Sequence, residues 1–223
     1  MSDAQDKTAG PILVSDFDGT ITRRDFFDLV RTGLLPAGSP DHWGDYQAGR
    51  ITHFDALKNI FAEAAVGEAR LIETADKMQP DPDLADEVAA LAEAGWRVIV
   101  ASAGCDWYIR RHLKAAGVDE VIQLHANPGR VEGDRLVMER PPAGAPFYSH
   151  EVGVDKVGIV RAALAGGGTV AFSGDGMPDL PPALLVPAQW RFARGTLAEE
   201  LRKRGEGFRP FERWSEVARA LRG

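Results

Sequence analysis

The 223-residue chain holds a single cysteine, Cys105, which excludes an internal disulfide and a cysteine-built zinc site. Long apolar runs are missing as well. Stretches such as Pro11–Val14 and Val98–Ala101 are far shorter than the about 20 residues that cross a bilayer. There is no basic surplus: 33 Asp and Glu against 26 Lys and Arg leave a net charge of −7, which disfavours a nucleic-acid partner held on a general basic face. The opening Met1-Ser2-Asp3-Ala4-Gln5-Asp6-Lys7 is polar, is expected to fray, and lacks the basic start and apolar stretch of a signal peptide. What is present, 44% apolar and 26% charged residues, is ordinary globular usage and excludes disordered, collagen-like and coiled-coil chains. The expectation is a soluble cytoplasmic protein, monomer or homodimer, with no membrane and no nucleic-acid partner.

Ile12-Leu13-Val14 predicts a short buried strand that runs into the carboxylate-rich turn Ser15-Asp16-Phe17-Asp18-Gly19-Thr20. From Asp25 to about Met78 the apolar period is helical throughout: Phe26, Phe27, Leu29 and Val30 start one helix, Thr52 caps a second, and Gly67 precedes a third. Pro80-Asp81-Pro82 marks the return, with Asp81 as the cap of the next helix and Pro82 in its first turn. Further strands are predicted at Arg97–Ala101, Val121–Leu124, Val170–Phe172 and Trp190–Ala193, with helices between them and a hairpin turning at Gly133-Asp134 within 126–148. This alternation predicts an α/β fold, a parallel sheet covered by helices on both faces, with a small all-helical cap inserted after the first strand. The expected core is 1–24 and 80–223 and the expected cap 25–79, with hinges near 23–25 and 79–81.

In such sheets ligands bind beyond the carboxyl ends of the strands. Three of these ends carry Asp16 and Asp18, Ser102, and Asp175 and Asp179, while Lys156 opens the helix before the Val170 strand. A strand-end aspartate is often only a helix cap or a turn former. Capping, however, does not call for two carboxylates on either side of one aromatic residue.

Asp16-Phe17-Asp18-Gly19-Thr20, Ser102, Lys156 and Gly174-Asp175-Gly176-Met177-Pro178-Asp179, in this order, resemble the four motifs of the haloacid dehalogenase superfamily of phosphatases and phosphotransferases. A small helical cap between the first two motifs is the arrangement of its phosphoserine-phosphatase-like branch. The resemblance implies a Rossmann-like core and an enzyme, a Mg²⁺-dependent phosphomonoesterase acting on a small phosphorylated metabolite. It implies Asp16 as the nucleophile that forms an aspartyl-phosphate and Asp18 as the acid and base. Mg²⁺ is implied to sit on Asp16, Asp175 and the Asp18 main-chain carbonyl, with Asp179 beside them. Thr20, Ser102, Ala103, Gly104 and Lys156 are the implied phosphate contacts.

Three stretches, Gly19-Thr20-Ile21-Thr22-x-x-Asp25, Ser102-x-Gly104-x-Asp106 with Trp107 and Tyr108, and Arg191-Phe192-Ala193-Arg194, are similar to the 2-hydroxy-3-keto-5-methylthiopentenyl-1-phosphate phosphatases of methionine salvage and their relatives. Phosphoserine phosphatase is the alternative, although Asp25 falls where those enzymes usually carry a Glu that reads the amino group. A catalytically silent phosphate-binding regulator on the same fold is the alternative of another class.

The chemistry fits these roles. A carboxylate near its usual pKa of about 4 is already ionised at neutral pH, so Asp16 needs no activating base. Its difficulty is repulsion: each substrate charge about 4 Å away costs roughly 4 kcal/mol at an effective dielectric near 20. A dication with oxygen ligands offsets this, helped by the Lys156 ammonium and by Ser102 with the amides after it at a helix N-terminus. A departing alkoxide needs a proton, which Asp18 is placed to supply. Asp25 either caps the first cap helix or touches substrate, and Trp107 and Tyr108 read as helix-face packing. Arg23 and Arg24 either guide an anionic substrate or face solvent. His42, His53, His112, His125 and His150 lack metal-ligand spacing, though His125 ends a strand near the site; Cys105 reads as packing.

Overall fold

The computed structural model describes residues 10–223; the polar start expected to fray lies outside the described residues. Strand β1 (Ile12–Ser15) precedes helices α1 (Phe26–Gly33), α2 (His42–Gln47), α3 (His53–Glu63), α4 (Glu68–Ala75) and α5 (Leu84–Glu93). Then come β2 (Arg97–Cys105), α6 (Asp106–Ala115), β3 (Gln123–Asn127), the hairpin β4 (Gly129–Glu132) and β5 (Arg135–Met138), and the short pair β6 (Tyr148–Ser149) and β7 (Gly153–Val154). The chain closes with α7 (Lys156–Ala165), β8 (Val170–Gly174), α8 (Leu180–Ala183), β9 (Arg191–Ala193), α9 (Gly195–Lys203), β10 (Arg209–Pro210) and α10 (Trp214–Arg222). Among the described residues no helix is long and apolar enough to cross a membrane.

Six strands pair in parallel in the order β10-β9-β8-β1-β2-β3. Side chains alternate across this sheet. Leu13, Val98 and Val100 join one apolar cluster with Phe17 and Trp214, while Ile12, Val14 and Ile99 join another with Val160 and Phe172. Both faces are covered, so the central strands are apolar throughout. Each large side chain buried in this way contributes roughly 1.5–3 kcal/mol. The α/β architecture is the one expected.

Register brings the polar strand ends together. Ser15 is the register partner of Val100 on one side and Ser173 on the other, and the Asp16 N–H extends the ladder to the Ser173 carbonyl at 2.9 Å. Asp16 therefore leaves the sheet between the segments that carry Ser102 and Asp175. The Ser15 hydroxyl accepts from the Ser173 hydroxyl at 2.9 Å and from the Trp214 indole at 3.1 Å, so α10 secures the exit of β1.

Between β1 and α5 the chain is helical, and an antiparallel bridge between Thr22 and Pro80 ties its two ends. Its interior is not closed by helices alone. Strand β5 packs along α3, burying Leu136 and Met138 in the cluster that holds Phe54 and Leu57. Arg140 bonds Thr52 and Asp55 while its guanidinium lies 4.2 Å over the Phe54 ring.

Several boundaries differ from the sequence expectation. Strand β2 continues through Ser102 to Cys105 with a register shift after Ala101, so Ser102, Ala103 and Gly104 lie on a bulged strand end rather than at a helix N-terminus. Strand β3 starts at Gln123, because Val121 and Ile122 instead form a turn whose amides bond the Val118 carbonyl. Helix α5 starts at Leu84; Asp81 accepts from the Asp83 and Ser215 amides and pairs with Arg213 instead of capping. Helix α2 and the two-residue strands β6, β7 and β10 are too short to show a period of their own.

Candidate active site

Asp16 is 8% exposed at the exit of β1. The Lys156 ammonium, brought in by the first residue of α7, sits 2.8 Å from Asp16 Oδ1 and 2.6 Å from Asp179 Oδ1. Asp16, Asp175 and Asp179 each offer a carboxylate oxygen within 4.8 Å of the others. Asp175 Oδ1 accepts from the Thr20 hydroxyl at 2.9 Å, whereas Asp179 Oδ2 accepts the amides of Asp175 and Gly176 at 3.1 and 3.0 Å. Asp179 thus shapes the loop after β8 and anchors Lys156. Gly19 has a φ of +67°, and a Cβ there would run into the carboxylates of Asp175 and Asp25, so the turn after Asp18 requires glycine.

Electrostatics set this cluster apart. Burial, and next the Asp179 charge, push the Asp16 carboxyl well above its ordinary range, with Lys156 pulling the other way. Burial and Asp179 raise Asp175 to about 7. Burial works against the Lys156 ammonium, but Asp16 and Asp179 more than offset it and hold Lys156 charged above the usual lysine value. The oxygen donors of Asp16 and Asp175 and the shortage of positive charge around them fit a hard divalent cation such as Mg²⁺.

Asp18 points elsewhere. Its Oδ1 accepts the Phe26 amide at 3.0 Å and its Oδ2 the Tyr108 hydroxyl at 2.8 Å, with the Ser102 hydroxyl 3.5 Å away. Asp18 is therefore no side-chain member of the carboxylate cluster. Burial raises its carboxyl, the bonds from Phe26 and Tyr108 working against the rise. Ser102 Oγ accepts the Gly104 amide at 2.9 Å, and the Ala103 carbonyl accepts from Asn127 at 2.7 Å. Asp25 stands at the cap position of α1 but its side chain makes no capping bond, and the Phe26 amide goes to Asp18. Asp25 Oδ1 is buried without a partner, and burial, Asp18 and Asp175 raise its carboxyl to about 8.

Other side chains reach the site that the motifs did not announce. Tyr108 contacts Asp18 instead of merely packing; a tyrosine on the buried face of a helix was the available signal, because its hydroxyl needs a partner. Arg194 bonds the carbonyls of Gly19 and Thr22 and so braces the turn after Asp18. His53, the first residue of α3, is 6% exposed with Nδ1 unpartnered; burial, with the Lys156 charge adding to it, lowers its imidazole to about 4. His42 pairs with Glu63, His112 bonds the Ala75 carbonyl, His125 lies edge-on to Phe147, and His150 is exposed. Trp107 lies against Phe26, and Arg23 and Arg24 face solvent. Burial pushes the Cys105 thiol up to about 12. A separate cavity of about 530 Å³ beside His42, Asn59, Glu63 and Arg135 is lined by none of the four motif stretches.

The family model for haloacid dehalogenase-like hydrolases matches residues 13–183. The chain belongs to that family. It is 23% identical over 221 residues to a 2-hydroxy-3-keto-5-methylthiopentenyl-1-phosphate phosphatase of Bacillus velezensis, covering 94% of this chain and 89% of that protein. Among solved structures, a haloacid dehalogenase family hydrolase from Salmonella enterica serovar Typhi is similar at a TM-score of 0.66 and 15% identity, covering 91% of this chain and 67% of that one. A substrate-bound phosphoserine phosphatase is similar at a TM-score of 0.63 and 15% identity, covering 96% of this chain and 98% of that one. At such identities the structural likeness concerns the fold, which is that of the phosphoserine-phosphatase-like branch of the family.

Proposed function

We propose that this hydrolase is a Mg²⁺-dependent phosphomonoesterase that releases inorganic phosphate from a small phosphorylated metabolite through an aspartyl-phosphate on Asp16. One observation carries the reading: a buried nucleophile-type carboxylate, the Lys156 ammonium and the Asp175 carboxylate converge at the carboxyl ends of adjacent parallel strands. Asp16 and Asp175, with the Asp18 carbonyl, would hold Mg²⁺, which supplies charge neutralisation for an anionic substrate. Asp16 attacks phosphorus while the ester P–O bond breaks, and Asp18 gives its proton to the leaving oxygen. Asp18 then takes a proton from the water that attacks phosphorus. The Asp16–phosphorus bond breaks, and both carboxyl groups return to their starting states. Lys156, Ser102 and Thr20, with the Ala103 and Gly104 main chain, line the phosphoryl position; a silent regulator would not require this whole acid–base set. Residues 25–79, with hairpin β4–β5 against them, act as a cap over the core of 1–24 and 80–223, hinged at the Thr22–Pro80 bridge.

The substrate we favour is 2-hydroxy-3-keto-5-methylthiopentenyl-1-phosphate, on the near full-length similarity to the Bacillus enzyme. Phosphoserine is the second reading, supported by the shared fold. The buried unpartnered atoms Asp25 Oδ1 and His53 Nδ1 are the side-chain groups offered to the organic part. With both acidic and imidazole groups driven toward neutrality by burial, they suit a neutral carbonyl or hydroxyl group better than an ammonium. Phosphate release from a panel of phosphorylated metabolites, with and without chelator, tests this. Mg²⁺-dependent release from the methylthiopentenyl phosphate well above phosphoserine is expected; the reverse order would replace the first substrate by the second, and chelator-insensitive release would remove the metal.

A further inference from the structure

We propose that Tyr108 is a positioning residue for Asp18, orienting the carboxyl group that serves as acid and base; the proposal rests on the reading of Asp18 given above. Tyr108 is the third residue of α6 and is 1% exposed. Its hydroxyl donates to Asp18 Oδ2 at 2.8 Å and accepts the Cys105 amide at 3.3 Å. With the amide directed at the phenol oxygen, the phenol proton is turned toward the carboxylate. Gly104 makes the room for this: a Cβ there would overlap the hydroxyl and come within 2.8 Å of Asp18 Oδ2.

The ring is held as firmly as the hydroxyl. Phe26 lies over it with centroids 4.4 Å apart, and Phe61 meets it edge-on at 6.5 Å. Phe26 also supplies the amide on Asp18 Oδ1 at 3.0 Å. Each oxygen of Asp18 thus has its own donor, one from α6 and one from the first residue of α1. A buried phenol costs desolvation that a phenylalanine would avoid, and the Asp18 carboxylate is the group that offsets it. Tyr108 passes no proton in the reaction. It fixes the direction of a carboxyl group that must face first the leaving oxygen and then a water on the same phosphorus, where small misplacements are costly.

The test compares wild type, Tyr108→Phe, Asp18→Asn and the double variant on p-nitrophenyl phosphate with Mg²⁺. In Tyr108→Phe, kcat should fall about 10- to 100-fold and KM should fall with it, leaving kcat/KM within about two-fold, because only the second step slows. A burst near one equivalent of p-nitrophenol should appear, because that leaving group departs without a proton while the attack of water still needs the base. The same substitution should cost less than about two-fold in the Asp18→Asn background. Wild-type rates in Tyr108→Phe, a rate loss without a burst, or an equal loss in both backgrounds would overturn the proposal. Wild-type turnover by Asp18→Asn would remove the acid–base reading of Asp18 and this role with it. If the wild type shows no Mg²⁺-dependent turnover, the function proposed above fails, and melting of the four metal-free proteins decides the contact: non-additive midpoints uphold it and additive ones refute it.

Discussion

Where α5 meets α10, Asp81, Asp83 and Glu87 face Arg213, Arg219 and Arg222; at the strand ends, Asp16, Asp18, Asp25, Asp175 and Asp179 crowd together, and Lys156 pairs with only Asp16 and Asp179 among them. Both regions bury carboxylates. In the first, burial alone would raise Asp81, but the amides of Ser215 and Asp83 and the Arg213 pair at 2.9 Å more than offset it and hold the carboxyl below its usual range. In the second, Asp16, Asp18, Asp25 and Asp175 are all raised. Buried carboxylates alone are therefore a poor sign of function. Under-compensation is the informative feature, because a folded chain keeps unbalanced charge only where something else supplies the counter-charge.

The comparison breaks most sharply at Asp16. Asp16→Asn should lower phosphate release by on the order of 10⁴-fold and leave the melting temperature within a few degrees; retained turnover would move the nucleophile elsewhere. Asp81→Ala should do the reverse. Leaving the buried Ser215 amide without its acceptor costs about 1–3 kcal/mol, which at this size lowers the midpoint by about 2–4 °C per kcal/mol, with kcat unchanged within about two-fold.

Opposite pH slopes sharpen the contrast. Asp25 has a folded value of about 8 against an ordinary 3.8, so the folded state binds the extra proton between those values and loses stability as pH rises through them. Asp81 is lowered, so its contribution is present above its unfolded value and is lost as pH falls through the folded one. In chelator, Asp25→Asn should shrink the drop in melting temperature between pH 5 and pH 8, while Asp81→Ala should alter only the acid limb. Equal slopes in wild type and Asp25→Asn would show that this carboxyl is not destabilised by its surroundings. The smallest effect belongs to Arg219→Ala: its side chain is 52% exposed and Glu87 keeps Arg222, so the loss should stay below about 1 kcal/mol in thermal melts.

Asp16, Asp18, Ser102, Lys156, Asp175 and Asp179 could be singled out from the chain because each stands where a short apolar strand ends or a helix begins, and strand ends in a parallel sheet share one edge. For Tyr108 the chain carries only a buried-face hydroxyl in need of a partner; that the partner is Asp18 is not contained in its helix position. The chain leaves Asp25 open between capping and substrate contact; in the structure its side chain makes no capping bond, while Asp18 reaches the Phe26 amide from eight residues upstream. The hairpin at 129–138 was legible as a hairpin, through Gly133-Asp134, but not as a wall against α3.

Local order alone determined the strands, the glycine turn after Asp18 and the motif sequence, since periodicity, φ preference and residue chemistry act over a few neighbours. The register of β1 between β2 and β8 decided that those motifs meet. Long-range packing decided which donors each carboxylate would find, and with them which acids carry excess charge. A residue's electrostatic work depends on burial and on partners far away in the chain, as between Thr20 and Asp175, 155 positions apart, and neither is a property of the stretch that contains it.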